Sequence, residues 1–179
     1  MIRLFAAIPL PKEVRRRLSQ LTGGLPGARW SPPENLHVTL RFAGEVDEPR
    51  AEMFHDCLTA VAAGPFDLRI RGLGAFSSGH RAHTLWAGVD ASDDLTHLQA
   101  RVEAAARLAG LEPEGRKYTP HVTLARLARD TSPARLAEVI SGNNLLAVTM
   151  PVDRFTLFAS HLGKQEPFYE PLAEYPLGK

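Results

Sequence analysis

The sequence predicts an α+β fold of two lobes related by a pseudo-twofold axis, each an antiparallel-rich sheet with outer helices, flanking a central cleft. Short apolar runs alternate with helical patterns, and the order strand, helix, strand, helix, strand occurs twice. His-Val-Thr-Leu also occurs twice, at His37 to Leu40 and at His121 to Leu124, at nearly the same rank in each repeat. We expect a single bilobal domain over residues 1–179, with repeats at about 1–80 and about 81–179.

The elements of the first repeat follow from apolar periodicity and from the positions of Gly and Pro. Leu4 to Ile8 is a short apolar run closed by Pro9, which is typical of a buried strand, and Pro11 suits the first turn of a helix. The remaining elements predicted here are a loop at 23–33, a strand at 36–42, a helix at 47–63 and a strand at 66–73.

The second repeat has the same order of elements. Ser92 or Asp93 caps a helix that runs to Leu108, and Gly110 ends it. The remaining predictions are strands at 84–89 and 118–127, a polar loop at 112–117, a helix at 132–140 and strands at 146–152 and 154–159.

Composition excludes several classes of protein. Hydrophobic residues make up 44% of the chain and charged residues 23%, as in ordinary globular proteins. The formal net charge of +1 excludes a wholesale nucleic-acid coat. The single cysteine, Cys57, excludes an intramolecular disulfide and indicates a reducing compartment. With neither a signal peptide nor the ~18 continuous apolar residues of a membrane span, we expect a soluble, cytoplasmic protein without a membrane partner.

The repeated motif predicts a site with two imidazoles and two hydroxyls. Side chains two apart on a strand point to the same side, so His37 and Thr39 share one face and His121 and Thr123 share another. A twofold axis brings these faces together around one phosphate. Histidine titrates near neutral pH, so one imidazole can accept a proton while the other donates one.

The threonine hydroxyls suit nonbridging phosphate oxygens, and Arg126 and Arg41 are the nearest candidate cations. This chemistry uses no metal ion and no other cofactor. A single His-x-Thr on a strand is more often a satisfied polar side chain, but recurrence at matched positions favours a shared function.

Other chemistries lack their motifs in this sequence. There is no His-Glu-x-x-His and no cysteine ligand set for zinc, and Gly72 to Gly79 lacks the Lys-Ser/Thr of a phosphate loop. No serine lies in a nucleophile elbow, and Cys57 falls inside a predicted helix.

The sequence resembles the 2H phosphoesterase superfamily, in particular its RNA 2′,3′-cyclic phosphodiesterases, also known as 2′-5′ RNA ligases, with their LigT-like fold. The residues that carry the resemblance are the two motifs and the stretches Arg3 to Leu10, Arg29 to Trp30, Pro33 to Leu36, Arg41 to Val46, Gly72 to Phe76 and Pro120 to Arg126. The catalytic positions show no departure from the family pattern.

The resemblance implies hydrolysis of a terminal 2′,3′-cyclic phosphate on RNA to a 2′-phosphate, with a reverse reaction that joins RNA ends through a 2′-5′ bond. By the same analogy His37 is the proton donor, His121 the proton acceptor, and Thr39 and Thr123 bind the phosphate. Arg126 follows the second motif as in relatives, although ideal strand alternation sends it to the face opposite His121.

The expected partners are RNA ends, tRNA halves among them, bound by a monomer. Candidate stacking surfaces for a terminal base, each also suited to core packing, are Trp30, Phe42, Phe76 and Tyr118. Two alternatives stay open at this point: a 2H enzyme acting on a small cyclic nucleotide or an ADP-ribose cyclic phosphate, and a binding module for RNA ends without turnover.

Overall fold

A computed structural model describes residues 1–178 and has nine strands and four helices in this range. The first half of the chain contains β1 (Ile2–Pro9), α1 (Lys12–Ser19), β2 (Arg29–Trp30), a 3-10 turn (Pro33–Asn35), β3 (His37–Val46), α2 (Glu48–Thr59) and β4 (Phe66–Ser78). The second half contains β5 (Arg81–Val89), α3 (Asp93–Leu108), β6 (His121–Arg126), α4 (Pro133–Gly142), β7 (Ala147–Val152), β8 (Arg154–His161) and β9 (Phe168–Pro176).

The strands form two separate sheets. The first sheet has the order β3-β1-β8-β9, and the second has the order β2-β6-β5-β4-β7. Every strand pair is antiparallel. The predicted α+β class with two antiparallel sheets is confirmed. Each sheet takes strands from both halves of the chain, since β8 and β9 complete the first sheet and β4 joins the second. The assignment of the chain to one domain stays a prediction.

Two strands were absent from the sequence-based prediction. The short β2 lies within the stretch predicted as a loop, and β9 follows the last predicted strand. The helix predicted at 47–63 ends earlier, at Thr59, and the strand predicted at 66–73 continues to Ser78.

The hydrophobic core lies between the helices and one face of each sheet. In β1, Leu4, Ala6 and Ile8 join this core, as alternation requires. Phe5 lies on the opposite face, where its ring centroid is 5.0 Å from that of His37. The helices pack on the core side, which leaves the motif-bearing faces of β3 and β6 turned towards a space that we call the cleft.

The long helix α3 begins as its sequence predicts. The side chain of Ser92 accepts a hydrogen bond of 3.1 Å from the backbone N–H of Leu95, which satisfies one of the free donors at the helix start. Apolar side chains at helical spacing, among them Leu98 and Val102, are fully buried against the sheets. No helix within residues 1–178 is long and apolar enough to cross a membrane.

Candidate active site

The two motif histidines are held by the same kind of hydrogen bond. The Nδ1–H of His37 donates to the backbone carbonyl of Asn35 at 2.7 Å, and the Nδ1–H of His121 donates to that of Thr119 at 2.7 Å. Because Nδ1 carries the proton in both bonds, Nε2 of each neutral ring keeps a lone pair. Both imidazoles therefore present the same nitrogen for proton transfer.

His37 is neutral at pH 7 in the free protein. Burial lowers its pKa from 6.5 to about 4, the hydrogen bond to Asn35 opposes this, and the charge of His121 adds to the lowering. Its Nε2 lies 3.0 Å from the hydroxyl oxygen of Thr39, which donates to it. Since the charge of His121 acts on His37, and β3 contacts β6, the two motifs share one electrostatic environment.

Tyr118 links the two motifs. Its hydroxyl donates a 2.7 Å hydrogen bond to the backbone carbonyl of Thr39, although Tyr118 itself lies three residues before His121. Burial raises the pKa of Tyr118, so the hydroxyl stays protonated and able to donate. We expected a stacking surface at Tyr118, and the structure places its hydroxyl against the first motif strand instead.

A bulge in each motif strand decides which side chains reach the cleft. In β3 the register with β1 passes from Thr39 to Arg41, and in β6 the register with β5 passes from Thr123 to Ala125, so one residue is skipped at the same rank in both strands. Two consecutive side chains then turn to the core, and the following residue turns outward. Arg126, which regular alternation sends to the core face, is exposed as a result.

The bulge also explains why Arg41 does not lie beside the histidines. Its side chain is buried, pairs with Glu103 on α3 and donates to the backbone carbonyl of Glu112. Burial alone raises the pKa of Glu103, but hydrogen bonds from the Glu114 amide and Arg107, with the charge of Arg41, hold this pKa below its usual range. The structure therefore does not support our expectation of a phosphate contact at Arg41.

Aromatic rings surround each histidine. The ring of Tyr169, on β9, meets that of His37 edge to face at a centroid distance of 5.5 Å. Phe76 meets His121 edge to face at 4.8 Å, and Trp86 lies 6.3 Å from the same imidazole. These rings pack against one side of each imidazole and restrict its orientation.

The position of Trp86 depends on a glycine in the next strand. A Cβ atom built at Gly74 would lie 2.2 Å from the Trp86 indole, a distance that real side chains do not show. Gly74 and Trp86 are direct partners in the β4–β5 register. The glycine therefore lets the indole lie across β4 beside His121.

Phe42 and Trp30, the remaining predicted stacking surfaces, differ in their exposure. Phe42 is 55% exposed on the cleft side of β3, whereas Trp30 is half-buried against the core. Sequence reasoning missed Phe5 and Tyr169, which contact His37. Alternation in β1 could have identified Phe5, but Tyr169 lies in a strand that was not predicted.

No group of three or more His, Cys, Asp or Glu side chains within residues 1–178 is arranged to hold a metal ion.

Comparison with known proteins gives one family. A model of the 2′-5′ RNA ligase superfamily matches residues 10–164. The RNA 2′,3′-cyclic phosphodiesterase of Methanothermobacter thermautotrophicus is 30% identical over 183 residues, covering 98% of this chain and 99% of its own. The protein of the same name from Geobacillus stearothermophilus is 30% identical over 179 residues, covering 97% of this chain, which spans only 56% of that relative.

Solved structures agree in fold. The protein TT0787 of Thermus thermophilus is 26% identical with a TM-score of 0.79, and the match covers 98% of this chain and 97% of that one. E. coli LigT complexed with 3′-AMP is 25% identical with a TM-score of 0.79, and the match covers 99% of both chains.

The lowered pKa of His37 makes stability depend on pH. Between pH 6.5 and about 4 the unfolded chain binds a proton at His37 that the folded chain does not. The free energy of unfolding should therefore fall as the pH falls through this window, with His37 contributing up to about 3 kcal/mol. Urea denaturation of wild type and His37→Asn between pH 4 and 7 measures this share, and exposed His97→Asn is the control. Parallel curves for wild type and His37→Asn would contradict it.

Substitution of Arg41 should lower stability, whereas substitution of Arg126 should weaken phosphate binding. Arg41→Met removes a buried guanidinium that pairs with half-buried Glu103. We expect a loss of about 2 kcal/mol in the free energy of unfolding, moderated by the second partner Arg107, with unchanged affinity for inorganic phosphate. Arg126→Met should weaken phosphate binding with little loss of stability. Urea denaturation and calorimetric titration with phosphate test both, and weakened phosphate binding in Arg41→Met would contradict this assignment.

Proposed function

The chain belongs to the 2′-5′ RNA ligase superfamily, and from this we propose that it is an RNA 2′,3′-cyclic phosphodiesterase, which hydrolyses the cyclic phosphate at an RNA end to a 2′-phosphate. The observation that carries the proposal is the matched pair of Nδ1–H bonds to Asn35 and Thr119. They leave two Nε2 atoms, one from each motif, for proton transfer around a single phosphate. The names of the relatives supply the substrate class.

The proposed reaction needs one base and one acid. His121 accepts a proton from water through Nε2 as the water oxygen bonds to phosphorus, and His37 protonates the departing O3′ as the P–O3′ bond breaks. The products are a 2′-phosphate and a 3′-hydroxyl. If the 5′-hydroxyl of a second RNA replaces water, the same steps form a 2′-5′ bond. Neither direction consumes ATP or requires a metal ion.

His37 must gain a proton before it can act as the acid. Its pKa of about 4 belongs to the free protein, where burial and the charge of His121 disfavour the imidazolium. A phosphate anion beside Nε2 favours the charged ring and raises this pKa. The hydroxyl of Thr39, which donates to Nε2 in the free protein, then turns to a phosphate oxygen. Substrate binding thus prepares the acid.

Arg126 and Thr123 complete the phosphate site in this proposal. Arg126 is brought to the cleft side of β6 by the bulge, and Thr123 lies on the same face as His121. A guanidinium and a hydroxyl stabilise the negative charge that moves onto the nonbridging oxygens in the transition state.

We further propose that one chain acts as a monomer, because each motif comes from the same chain, and that it acts in the cytoplasm on ends such as those of tRNA halves.

Product analysis tests this function. The substrate is an oligoribonucleotide that ends in a 2′,3′-cyclic phosphate, incubated in excess EDTA, and ³¹P NMR distinguishes a 2′- from a 3′-phosphate. We expect the 2′-phosphate, with kcat/KM lowered about 10²- to 10⁴-fold in His37→Ala and in His121→Ala. Exposed His97→Ala, on α3, is the matched control and should keep the wild-type rate.

Three results would overturn the proposal: a 3′-phosphate product, loss of the wild-type activity on chelation, or unchanged rates in both motif variants. Equal binding of the oligonucleotide by all proteins without any turnover would instead indicate a binding module.

A further inference from the structure

The two motif strands differ in residue type at the fifth position after each histidine, which is Phe42 in β3 and Arg126 in β6. The bulges bring Phe42 and Arg126 to equivalent places on the cleft side, so one strand presents an exposed ring where the other presents a guanidinium. Only the guanidinium of Arg126 can bind a phosphate through charge and hydrogen bonds. Phe42, at 55% exposure, is an apolar ring in contact with water and without a role in the proposed chemistry.

Phe42 is the exposed member of a group of four aromatic rings on the cleft face of the first sheet, which we call the floor. The other members are Phe5, Phe158 and Tyr169. The buried ring of Phe5 lies 5.7 Å from Phe42, stacks on Phe158 at 5.2 Å and meets Tyr169 edge to face at 4.9 Å. The second sheet also has two rings, Phe76 and Trp86, but they lie beside His121. Further along the strand, Thr84 pairs with Arg126 where Phe5 pairs with Phe42 in the first sheet. Beyond the histidines, therefore, the first sheet continues as an aromatic surface where the second sheet presents Arg126.

A cation lies at the far end of this floor. Arg3 is two residues before Phe5, on the same side of β1. Its register partner on β3 is Glu45, but within residues 1–178 Arg3 forms no ion pair with a carboxylate. Burial raises the pKa of Tyr169, while the charges of Arg126 and Arg3 lower it and that of Glu166 raises it, which places the Tyr169 hydroxyl in the field of both arginines. This hydroxyl forms no hydrogen bond with protein in the described range.

The distance along the strand separates Arg3 from the catalytic phosphate. Ala7 pairs with Thr39, and Arg3 lies four residues further along β1, about 13 Å away at the usual strand rise. A group bound at Arg3 is therefore a different part of the substrate from the cyclic phosphate. Proteins bind single-stranded nucleic acid with a cation that contacts a backbone phosphate and an aromatic side chain on which a base stacks. Arg3 and the rings beside it have this arrangement.

We propose that Arg3, Phe42, Phe158 and Tyr169, which we call the first-sheet track, bind the nucleotide that precedes the cyclic terminus. The base stacks on Phe42, and the preceding phosphate lies between Arg3 and the Tyr169 hydroxyl. The RNA chain thus leaves the site over the first sheet and not over the second. The inference rests on the proposed function and narrows its substrate to oligoribonucleotides in preference to cyclic mononucleotides.

Paired substrates test the track. The kcat/KM of the wild type is measured with a 2′,3′-cyclic mononucleotide and with a trinucleotide that ends in the same cyclic nucleotide. We expect the trinucleotide to be preferred at least about ten-fold, and Phe42→Ala to reduce this preference about ten-fold. The apolar control is Leu145→Ala, a side chain that is 90% exposed and distant in sequence from both motifs, and it should keep the preference.

Salt dependence gives a second readout that a folding defect does not mimic. Loss of one phosphate contact on a single strand reduces the slope of log affinity against log salt by about 0.7. We expect this reduction for Arg3→Gln with the trinucleotide and none for Arg101→Gln, an exposed cation on α3.

The outcomes separate the two proposals. If the wild type hydrolyses neither substrate, the proposed function fails and the track fails with it. If it hydrolyses both with equal kcat/KM, or if Phe42→Ala and Arg3→Gln keep the wild-type preference and salt slope, the function stands and the track is wrong.

Discussion

The arrangement of the site depends on one kind of hydrogen bond, from the Nδ1–H of each motif histidine to the backbone carbonyl two residues earlier. The bonds to Asn35 and Thr119 fix both the tautomer and the ring orientation. They are possible because each histidine is the first residue of its strand, so Asn35 and Thr119 lie outside the strand and their carbonyls are free to accept from the imidazole. Two copies of this local structure, placed on facing strands, give two equivalent Nε2 atoms, which the proposed function uses for proton transfer.

In the proposed reaction the two equivalent atoms act differently on an asymmetric substrate, and their surroundings differ accordingly. The pKa of His37 falls to about 4 through burial and the charge of His121. Beyond the histidines, the bulges place Phe42 and Arg126 at matched positions with unlike chemistry. The duplicated framework thus fixes where groups lie. In the proposed function, a few differences within it decide which side holds the phosphate and which side is free for the rest of the substrate.

Strand alternation was sufficient to predict the motif faces, because His37, Thr39 and their counterparts precede the bulges. It failed immediately after them: Arg41 follows the motif in sequence, but the bulge turns it to Glu103. The edge strand β9 was not predicted, because its mostly exposed side chains and its two prolines, Pro171 and Pro176, give no apolar alternation. Tyr169 was missed for the same reason, since its role comes from the pairing of β9 with β8.

The most direct measurement follows the Cε1–H resonances of His37 and His121 by NMR during titration with inorganic phosphate. If the two imidazoles bracket one phosphate, both resonances shift along the same binding curve, and bound phosphate raises the pKa of His37 above its free value of about 4. If phosphate shifts only one imidazole, or shifts the two with different Kd values, the histidines do not act on a common phosphate.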